Sequence, residues 1–282
     1  MERLSNCLVC GSKKIINKKS LIDYSLTKET FTLYQCLVCG VLFTNPRPKK
    51  DKINKYYDLK KYDSYRKKSN VFGFIYGFIQ KLNNSYKTSL LKKYKTGYLL
   101  DYGSGSGSFV NHTKKRGYTS FGYEPINELK HNSIYKNKNI IKKQKYDWVT
   151  LWHVLEHTHN PKNTLNDLRE LLNKDGLIAV AIPNINSYDN IYYKKHWAGY
   201  DVPRHLFHFN TSSFKKLAKL ANLKIINKKP LWFDSIYVSM LSEKYKKNKF
   251  SFLSGFFRGF ISNLYAIKTG QHSSIIYILR KC

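Results

Sequence analysis

The segment Leu99–Val110, with the sequence LLDYGSGSGSFV, constrains the fold of this chain more than any other. Its first residues are apolar and are typical of a buried strand, and its last residues are typical of the start of a helix. Between them Gly103, Gly105 and Gly107 stand at alternate positions, and residues without a Cβ let the backbone pass close to a ligand. A helix N-terminus aims free N–H groups at the same place. The segment therefore predicts a nucleotide-like cofactor at the first strand of an α/β sheet.

The chain beyond this segment alternates between strand-like and helix-like patterns. The predicted strands are Thr119–Pro125, Tyr146–His157 (which runs on into a loop and a helix), Gly176–Asn184, Leu223–Lys228 and Ser273–Lys281. The predicted helices are Phe109–Arg116, Ile126–Lys136, Leu165–Leu172 and Ser212–Ala221. Such alternation predicts a mostly parallel sheet with helices on both faces, which binds ligands at the carboxyl ends of its strands.

An acidic residue ends the second predicted strand. Glu124 follows Asp101 by 23 residues, and an acid at this place accepts hydrogen bonds from ribose hydroxyls. Together with the glycine turn it indicates an adenosine-bearing ligand, either a dinucleotide or S-adenosylmethionine. The turn departs from the dinucleotide pattern G-x-G-x-x-G, because Ser108 stands where the last glycine would be.

Two Cys-x2-Cys pairs lie near the N-terminus, each within the string CLVCG. Their cysteines are Cys7, Cys10, Cys36 and Cys39. Four thiolates form the tetrahedral set that Zn²⁺ takes in a closed structural site, and the β-like runs between the pairs suit the hairpin of a zinc ribbon. A disulfide is the alternative, which a cytosolic location disfavours. A region of about 45 residues has too little core to fold without such a metal.

Three regions follow from these patterns. Residues 1–45 are predicted to form the zinc ribbon, 46–95 a linker with a helical cap, and 96–282 the α/β domain. Asn45–Pro48, with the sequence NPRP, marks the linker because proline interrupts helices and central strands. An amphipathic helix is predicted from Val71 to Leu82, either packed on the domain or covering its cleft.

The net charge of +32, from 50 basic and 18 acidic side chains, favours anionic partners. These include nucleic acid, acidic lipid and phosphorylated or nucleotide-linked substrates. No signal-peptide pattern follows Met1, so a cytoplasmic location is expected. The apolar run Phe250–Ile267 is interrupted by Arg258. The apolar face of a helix formed by this run indicates core packing, dimer packing or an interfacial helix that holds a lipid-linked substrate. Peripheral membrane contact is therefore one of the alternatives.

His153, Glu156 and His157 form the pattern H-x-x-E-H. In isolation this is the motif of inverted zinc peptidases. Its place at the end of a strand, beside the predicted cofactor, instead suggests His153 as a general base on an acceptor. The alternative is that His153 and Glu156 only shape the pocket.

The loop Trp197–Phe209, with the sequence WAGYDVPRHLFHF, holds further candidates. Arg204 suits an anionic group of the substrate, because a guanidinium pairs bidentately with phosphate or carboxylate. His205 is a second candidate base, and His208 is a candidate for the base or for substrate binding. The alternative is a structural loop that packs on the sheet.

The chain resembles class I S-adenosylmethionine-dependent methyltransferases, and among them the bacterial group with an N-terminal zinc ribbon. LLDYGSGSGSFV, FGYEP, DWVTLWHVLEHTHNP, LLNKDGLIAVAIPN, WAGYDVPRHLFHF and the cysteine pairs carry this resemblance. It implies a Rossmann-like fold in which the glycine turn holds the methionine portion of the cofactor and the second-strand acid holds the ribose. The implied cofactor contacts are Asp101, Gly103, Ser104, Gly105, Gly107, Glu124, Trp152 and His153. Ile140–Lys145 lacks the acid that often contacts adenine in such families.

The resemblance implies methyl transfer to a small-molecule or glycan- or lipid-linked acceptor, with an anionic or glycan-type substrate. An RNA base is the alternative acceptor, which the positive charge favours. A zinc-ribbon adaptor without activity is a third interpretation, which the intact glycine turn disfavours. The methylated atom and the oligomeric state are not predicted.

Overall fold

Eleven strands and eight α-helices form the regular structure of residues 1–57, 71–126 and 131–282, which the computed structural model describes. The strands are β1 (Ile15–Ile22), β2 (Thr30–Cys36), β3 (Leu42–Thr44), β4 (Tyr98–Tyr102), β5 (Thr119–Tyr123), β6 (Ile134–Tyr135), β7 (Tyr146–Trp152), β8 (Leu172–Pro183), β9 (Phe207–His208), β10 (Leu223–Pro230) and β11 (Ser274–Lys281). The helices are α1 (Val71–Lys92), α2 (Ser108–Lys114), α3 (Lys138–Ile141), α4 (Pro161–Glu170), α5 (Tyr188–Tyr193), α6 (Thr211–Leu220), α7 (Trp232–Tyr245) and α8 (Ser251–Thr269).

A seven-stranded sheet has the order β10-β11-β8-β7-β4-β5-β6. The five strands β8, β7, β4, β5 and β6 are neighbours in that order and are parallel to one another. Strand β11 runs antiparallel to both of its neighbours, β8 and β10. Alternate residues of the central strands are buried in two separate apolar clusters, with Val149 and Val180 in one and Trp148 and Ala179 in the other. Both faces of the sheet are therefore covered, and the predicted mostly parallel α/β fold is confirmed.

Two predictions about helices fall partly outside the described residues. The helix predicted over Ile126–Lys136 is wrong at Ile134 and Tyr135, which form β6 and pair in parallel with β5; residues 127–130 are not described. The helix predicted from Val71 is present as α1, but the side chains of residues 71–76 and 78 on its predicted face are not described. None of the helices in the described ranges is long and apolar enough to cross a membrane.

Strands β1 and β2 pair as an antiparallel hairpin next to the four cysteines, which we call the cysteine-bearing hairpin. It belongs to a second sheet, with the order β1-β2-β3-β9. Strand β9 comes from the far loop Trp197–Phe209, so Leu42 pairs with His208 and Phe43 with Phe207. The connection after the hairpin is packed as well. Asn45 is 1% exposed and exchanges two hydrogen bonds with Leu4. Asn45–Pro48 is therefore a fixed connection, although proline predicted a linker there.

Arg204 has a structural role that the sequence did not predict. Its side chain is 1% exposed, and it pairs with Asp23 on the hairpin and with Asp201 on its own loop. Its guanidinium also donates to the carbonyl of Tyr56. These acceptors use its N–H donors within the protein, and the binding of an anionic substrate by Arg204 stays a prediction. Arg204 fastens the N-terminal hairpin to the loop before β9.

We expect Arg204→Met to lower the free energy of unfolding by about 3–5 kcal/mol. It leaves the buried carboxylate of Asp23 and the partly buried carboxylate of Asp201 without their partner. Urea unfolding followed by fluorescence measures this difference. Arg280→Met is the matched control, since Arg280 is an exposed residue on β11, and it should stay within about 0.5 kcal/mol of the unmodified chain. If Arg204→Met kept full stability but bound the substrate more weakly, the result would instead support the predicted role of Arg204 in substrate binding.

Candidate functional site

The turn between β4 and α2 passes through three left-handed glycines. The φ angles of Gly103, Gly105 and Gly107 are +79°, +52° and +77°. A Cβ at Gly103 would lie 2.4 Å from a methyl of Val154, and one at Gly107 would lie 2.6 Å from Ile134. A Cβ at Gly105 would meet nothing within 4 Å. Within residues 1–57, 71–126 and 131–282, no atom therefore occupies the place of a side chain at the middle glycine.

Two buried carboxylates lie beside the turn. Glu124 accepts hydrogen bonds from the backbone N–H of Gly105 at 3.0 Å and of Ile126 at 3.2 Å, and burial raises its pKa. Asp101 accepts a 2.7 Å hydrogen bond from the Thr150 hydroxyl. Burial raises the pKa of Asp101 to about 7, although the hydrogen bond from Thr150 opposes the shift. The turn thus carries two acids that a polar, cationic ligand would satisfy.

Two neighbouring side chains have buried polar atoms with no hydrogen-bond partner within the described residues. These atoms are the hydroxyl oxygen of Ser104 and the indole nitrogen of Trp152. Buried polar atoms are nearly always satisfied in folded proteins, so unpaired ones beside an open turn suit ligand contacts. The sequence prediction placed both residues in the cofactor site.

Lys87 and Asp234 belong to this region and were missed in the sequence. Lys87, on α1, is 9% exposed, and its ammonium lies 4.6 Å from the centre of the Trp152 ring. Burial lowers the pKa of Lys87, while the charges of Asp234 and Asp101 oppose this shift. A lysine within a lysine-rich segment gives no signal, but Asp234 stands out as an isolated acid within the apolar string LWFDSIYV.

His153 ends β7 in a left-handed conformation, with φ +55°. Its Nδ1 lies 3.2 Å from Glu156 Oε1, and its Nε2 lies 2.6 Å from Asp234 Oδ2. Burial opposes the imidazolium charge, but the two carboxylates outweigh it and raise the pKa of His153 to about 10. While the imidazole is protonated, both ring nitrogens donate to carboxylates and neither has a lone pair for a proton. The action of His153 as a general base stays a prediction.

The two histidines of the loop before β9 differ in what they offer. His205 donates from Nδ1 to the carbonyl of Gly199 at 2.9 Å, which leaves Nε2 as a bare acceptor. Its role as a base stays a prediction. His208 is 3% exposed and bonds through Nε2 to the carbonyl of Tyr200; burial lowers its pKa to about 4. His208 lies within the smaller sheet, so its predicted contact with substrate is not supported.

The four N-terminal cysteines converge on one point. Cys7 and Cys39 have sulfurs 3.6 Å apart, Cys10 and Cys36 have sulfurs 3.5 Å apart, and all four lie within 4.8 Å of one another. Tetrahedral zinc ligands would stand at ~3.8 Å, given Zn–S bonds of about 2.3 Å. All four are free thiols, and backbone N–H groups of Val9 and Cys10 donate to the Cys7 sulfur. The cluster is compatible with a small zinc-binding ribbon.

Solved structures with a similar fold are distant in sequence. A cyclopropane synthase from Mycobacterium tuberculosis is 11% identical, covering 66% of this chain and 78% of that chain with a TM-score of 0.42. A 1,6-didemethyltoxoflavin-N1-methyltransferase from Burkholderia thailandensis is 10% identical, covering 72% and 78% with a TM-score of 0.45. An O-methyltransferase from a polyketide synthase multienzyme of Brevibacillus brevis is 14% identical, covering 71% and 72% with a TM-score of 0.45. These identities are too low to transfer a substrate.

No curated protein matches this chain in sequence. A family model described as a methyltransferase domain matches residues 77–228, which is more than half of the 282 residues. The matched region includes the glycine turn, both of its acids and the strands that carry them. The chain therefore belongs to the methyltransferase domain family and is an S-adenosylmethionine-dependent methyltransferase.

Proposed function

We propose that this enzyme binds S-adenosylmethionine at the turn Gly103–Gly107 and transfers its methyl group to a small-molecule or glycan- or lipid-linked acceptor. The observation that carries the proposal is the turn of three left-handed glycines beside the buried carboxylates of Asp101 and Glu124. Ser104 and Trp152 add buried polar atoms with no partner among the described residues. When bound, the cofactor supplies a methyl group activated by a sulfonium. The protein supplies the position and the electrostatic environment of that group.

Each polar group at the turn suits one part of the cofactor. Glu124 ends the second strand of the parallel sheet beside the turn, where a carboxylate accepts from ribose hydroxyls. Asp101 is a buried carboxylate at the base of the turn and suits the ammonium of the methionine portion. The hydroxyl of Ser104 and the indole N–H of Trp152, which have no partner among the described residues, suit further hydrogen bonds. His153, paired with Asp234, borders the same edge and shapes the acceptor side.

Gly105→Ala tests this placement. The new methyl meets no atom of the described residues within 4 Å. It adds a cost of about 1 kcal/mol for the left-handed φ, and it enters the space assigned to the cofactor. We expect the affinity for S-adenosylmethionine, measured by calorimetry, to fall at least about tenfold. Gly117→Ala is the matched control: Gly117 has a φ of +89° and equally open surroundings. If both variants bind equally well, the cofactor does not lie at Gly105.

The pH dependence of binding tests the role of Asp101. The pKa of this buried carboxyl is about 7 in the free protein, so at pH 6 a cationic ligand must displace its proton. We expect the dissociation constant for S-adenosylmethionine to be about tenfold higher at pH 6 than at pH 8. Asp101→Asn removes the titrating group and should bind weakly at both values. A pH dependence that survived in Asp101→Asn would contradict this role.

Helix α8 supports an acceptor held at a membrane surface. Its small residues face inward, since a Cβ at Gly255 or Gly259 would lie 2.4 Å from the backbone of α7. Its large side chains consequently face outward, so they do not form the core that was one prediction for this run. We name as the apolar face of α8 the residues Leu253, Phe256, Phe257, Phe260 and Leu264, which are 44–55% exposed.

Basic side chains border this face at both ends of the helix. Lys247 and Lys249 precede α8 and Lys268 lies in its last turn, and all three are exposed. An apolar aromatic face with lysines beside it matches the chemistry of an anionic lipid surface. We therefore favour a lipid-linked acceptor that reaches the site from a membrane.

Phe257→Ser combined with Phe260→Ser tests membrane contact. We expect the unmodified enzyme to cosediment with vesicles containing phosphatidylglycerol, and the double variant to partition at least about tenfold more weakly because it loses two apolar anchors. Ile140→Ser combined with Leu220→Ser removes two exposed apolar residues elsewhere and should bind like the unmodified chain. The proposal would be contradicted if the unmodified enzyme did not cosediment with anionic vesicles, or if it buried the apolar face of α8 in a dimer.

RNA is the second candidate acceptor, and the net charge of +32 favours it. Counterion release makes such binding steeply dependent on salt. Retention of RNA at low salt and its loss at higher salt, together with methylation of the retained RNA, would support this candidate. A protein that does not retain RNA at low salt would exclude it.

We also propose that the four cysteines hold a structural zinc ion. Four thiolate donors fill a tetrahedral coordination sphere, so this ion would have no open position for chemistry. The ion would stabilise the folded cysteine-bearing hairpin. Strand β3 and Arg204 connect this hairpin to the rest of the enzyme.

A further inference from the structure

A second group of metal-ligating side chains lies beside the methyltransferase site. Glu156, His157 and His205 each place one donor atom within 4.8 Å of the others. Glu156 and His157 belong to the single helical turn Leu155–His157 that follows β7, and His205 lies in the loop before β9. The two segments are adjacent, since the N–H of Leu206 donates to the carbonyl of Glu156 at 2.8 Å.

Backbone carbonyls fix both imidazoles in one tautomer. His157 Nδ1 lies 3.0 Å from the carbonyl oxygen of Arg204 and 2.8 Å from the hydroxyl of Tyr57. The Tyr57 oxygen can share the same N–H as a second acceptor. His205 Nδ1 lies 2.9 Å from the carbonyl oxygen of Gly199. A carbonyl only accepts, so each Nδ1 carries the proton and each Nε2 has a bare lone pair. No hydrogen bond to either Nε2 is found within the described residues. This is the arrangement by which proteins orient histidine ligands of metals.

The carboxylate of Glu156 is similarly half satisfied. The residue is 1% exposed, and its Oε1 accepts from His153 Nδ1. Its Oε2 is buried with no partner in the described part of the chain. A buried carboxylate oxygen without a donor is costly, and Glu156 has a carboxylate oxygen within 4.8 Å of a ring nitrogen of both His157 and His205. A cation shared by these three side chains would satisfy the carboxylate and both imidazoles.

We propose that Glu156, His157 and His205 form a second divalent-cation site, separate from the four cysteines, and that Zn²⁺ is the ion this donor set fits best. Two neutral imidazoles and one carboxylate are a known donor set for zinc with an open fourth position. Bonds of about 2.1 Å place such donors at ~3.4 Å from one another, so only a small closure is needed. The ion would join the turn after β7 to the loop that contacts the N-terminal hairpin.

Metal analysis of the full chain tests this site. The chain is stripped with a chelator, reloaded with Zn²⁺ and freed of excess ion. We expect two zinc ions per unmodified chain and one in Glu156→Gln, whose second zinc should bind at least about tenfold more weakly. Glu170→Gln is the matched control, because Glu170 is an exposed glutamate at the end of α4, and it should keep two. His205→Gln provides a second variant if Glu156→Gln fails to fold.

Cobalt substitution distinguishes the two sites independently of activity. Cobalt bound by cysteines shows thiolate-to-metal charge transfer, whereas cobalt bound by nitrogen and oxygen shows only ligand-field absorption. We expect both signals in the unmodified chain, and the charge-transfer signal alone in Glu156→Gln. The proposal is overturned if the unmodified chain binds only thiolate-held ion, which would mean that protons or water satisfy the cluster. It is also overturned if both variants retain both ions.

Discussion

The left-handed turn after β4 is the constraint on which the arrangement of the site depends. Glycine is the residue that adopts φ values of +52° to +79° without steric cost, and here it does so three times within five residues. The turn lies at the carboxyl end of the central strand of a parallel sheet. Strands β5 and β7 flank β4, so they deliver Glu124 and His153 to the same edge. The sheet thus gathers, from separate segments, the groups of the proposed cofactor site.

Charge pairing places a second set of segments over that edge. Arg204 joins Asp23 of the hairpin to Asp201 of the loop, and β3 pairs with β9. The cysteine-bearing hairpin is consequently fixed to the rest of the enzyme, and its folding supports the loop that carries His205. A metal ion on the cysteines would stabilise this hairpin, and it would not contact the methyl group of the cofactor.

The sequence predicted those parts of the site whose signal is local. Asp101 and Glu124 end apolar strands at a spacing that a parallel sheet converts into proximity, so both could be placed before the fold was known. Arg204, Lys87 and Asp234 could not. Most of their partners are distant in the sequence, such as Asp23 for Arg204 and His153 for Asp234. The same residue types are common on protein surfaces, so only tertiary packing reveals that these three are buried and paired. The short strand β6 was missed for a similar reason, because its two residues extend only by pairing with β5.

A crystal structure of the enzyme grown with saturating S-adenosylhomocysteine tests the central claim most directly. The account predicts the ligand against Gly105, with its ribose hydroxyls at Glu124 and its amino group at Asp101. Glu124 would then exchange its hydrogen bond from the Gly105 N–H for bonds from the ribose. A ligand bound elsewhere, or an empty turn in which Glu124 still accepts from Gly105, would contradict it.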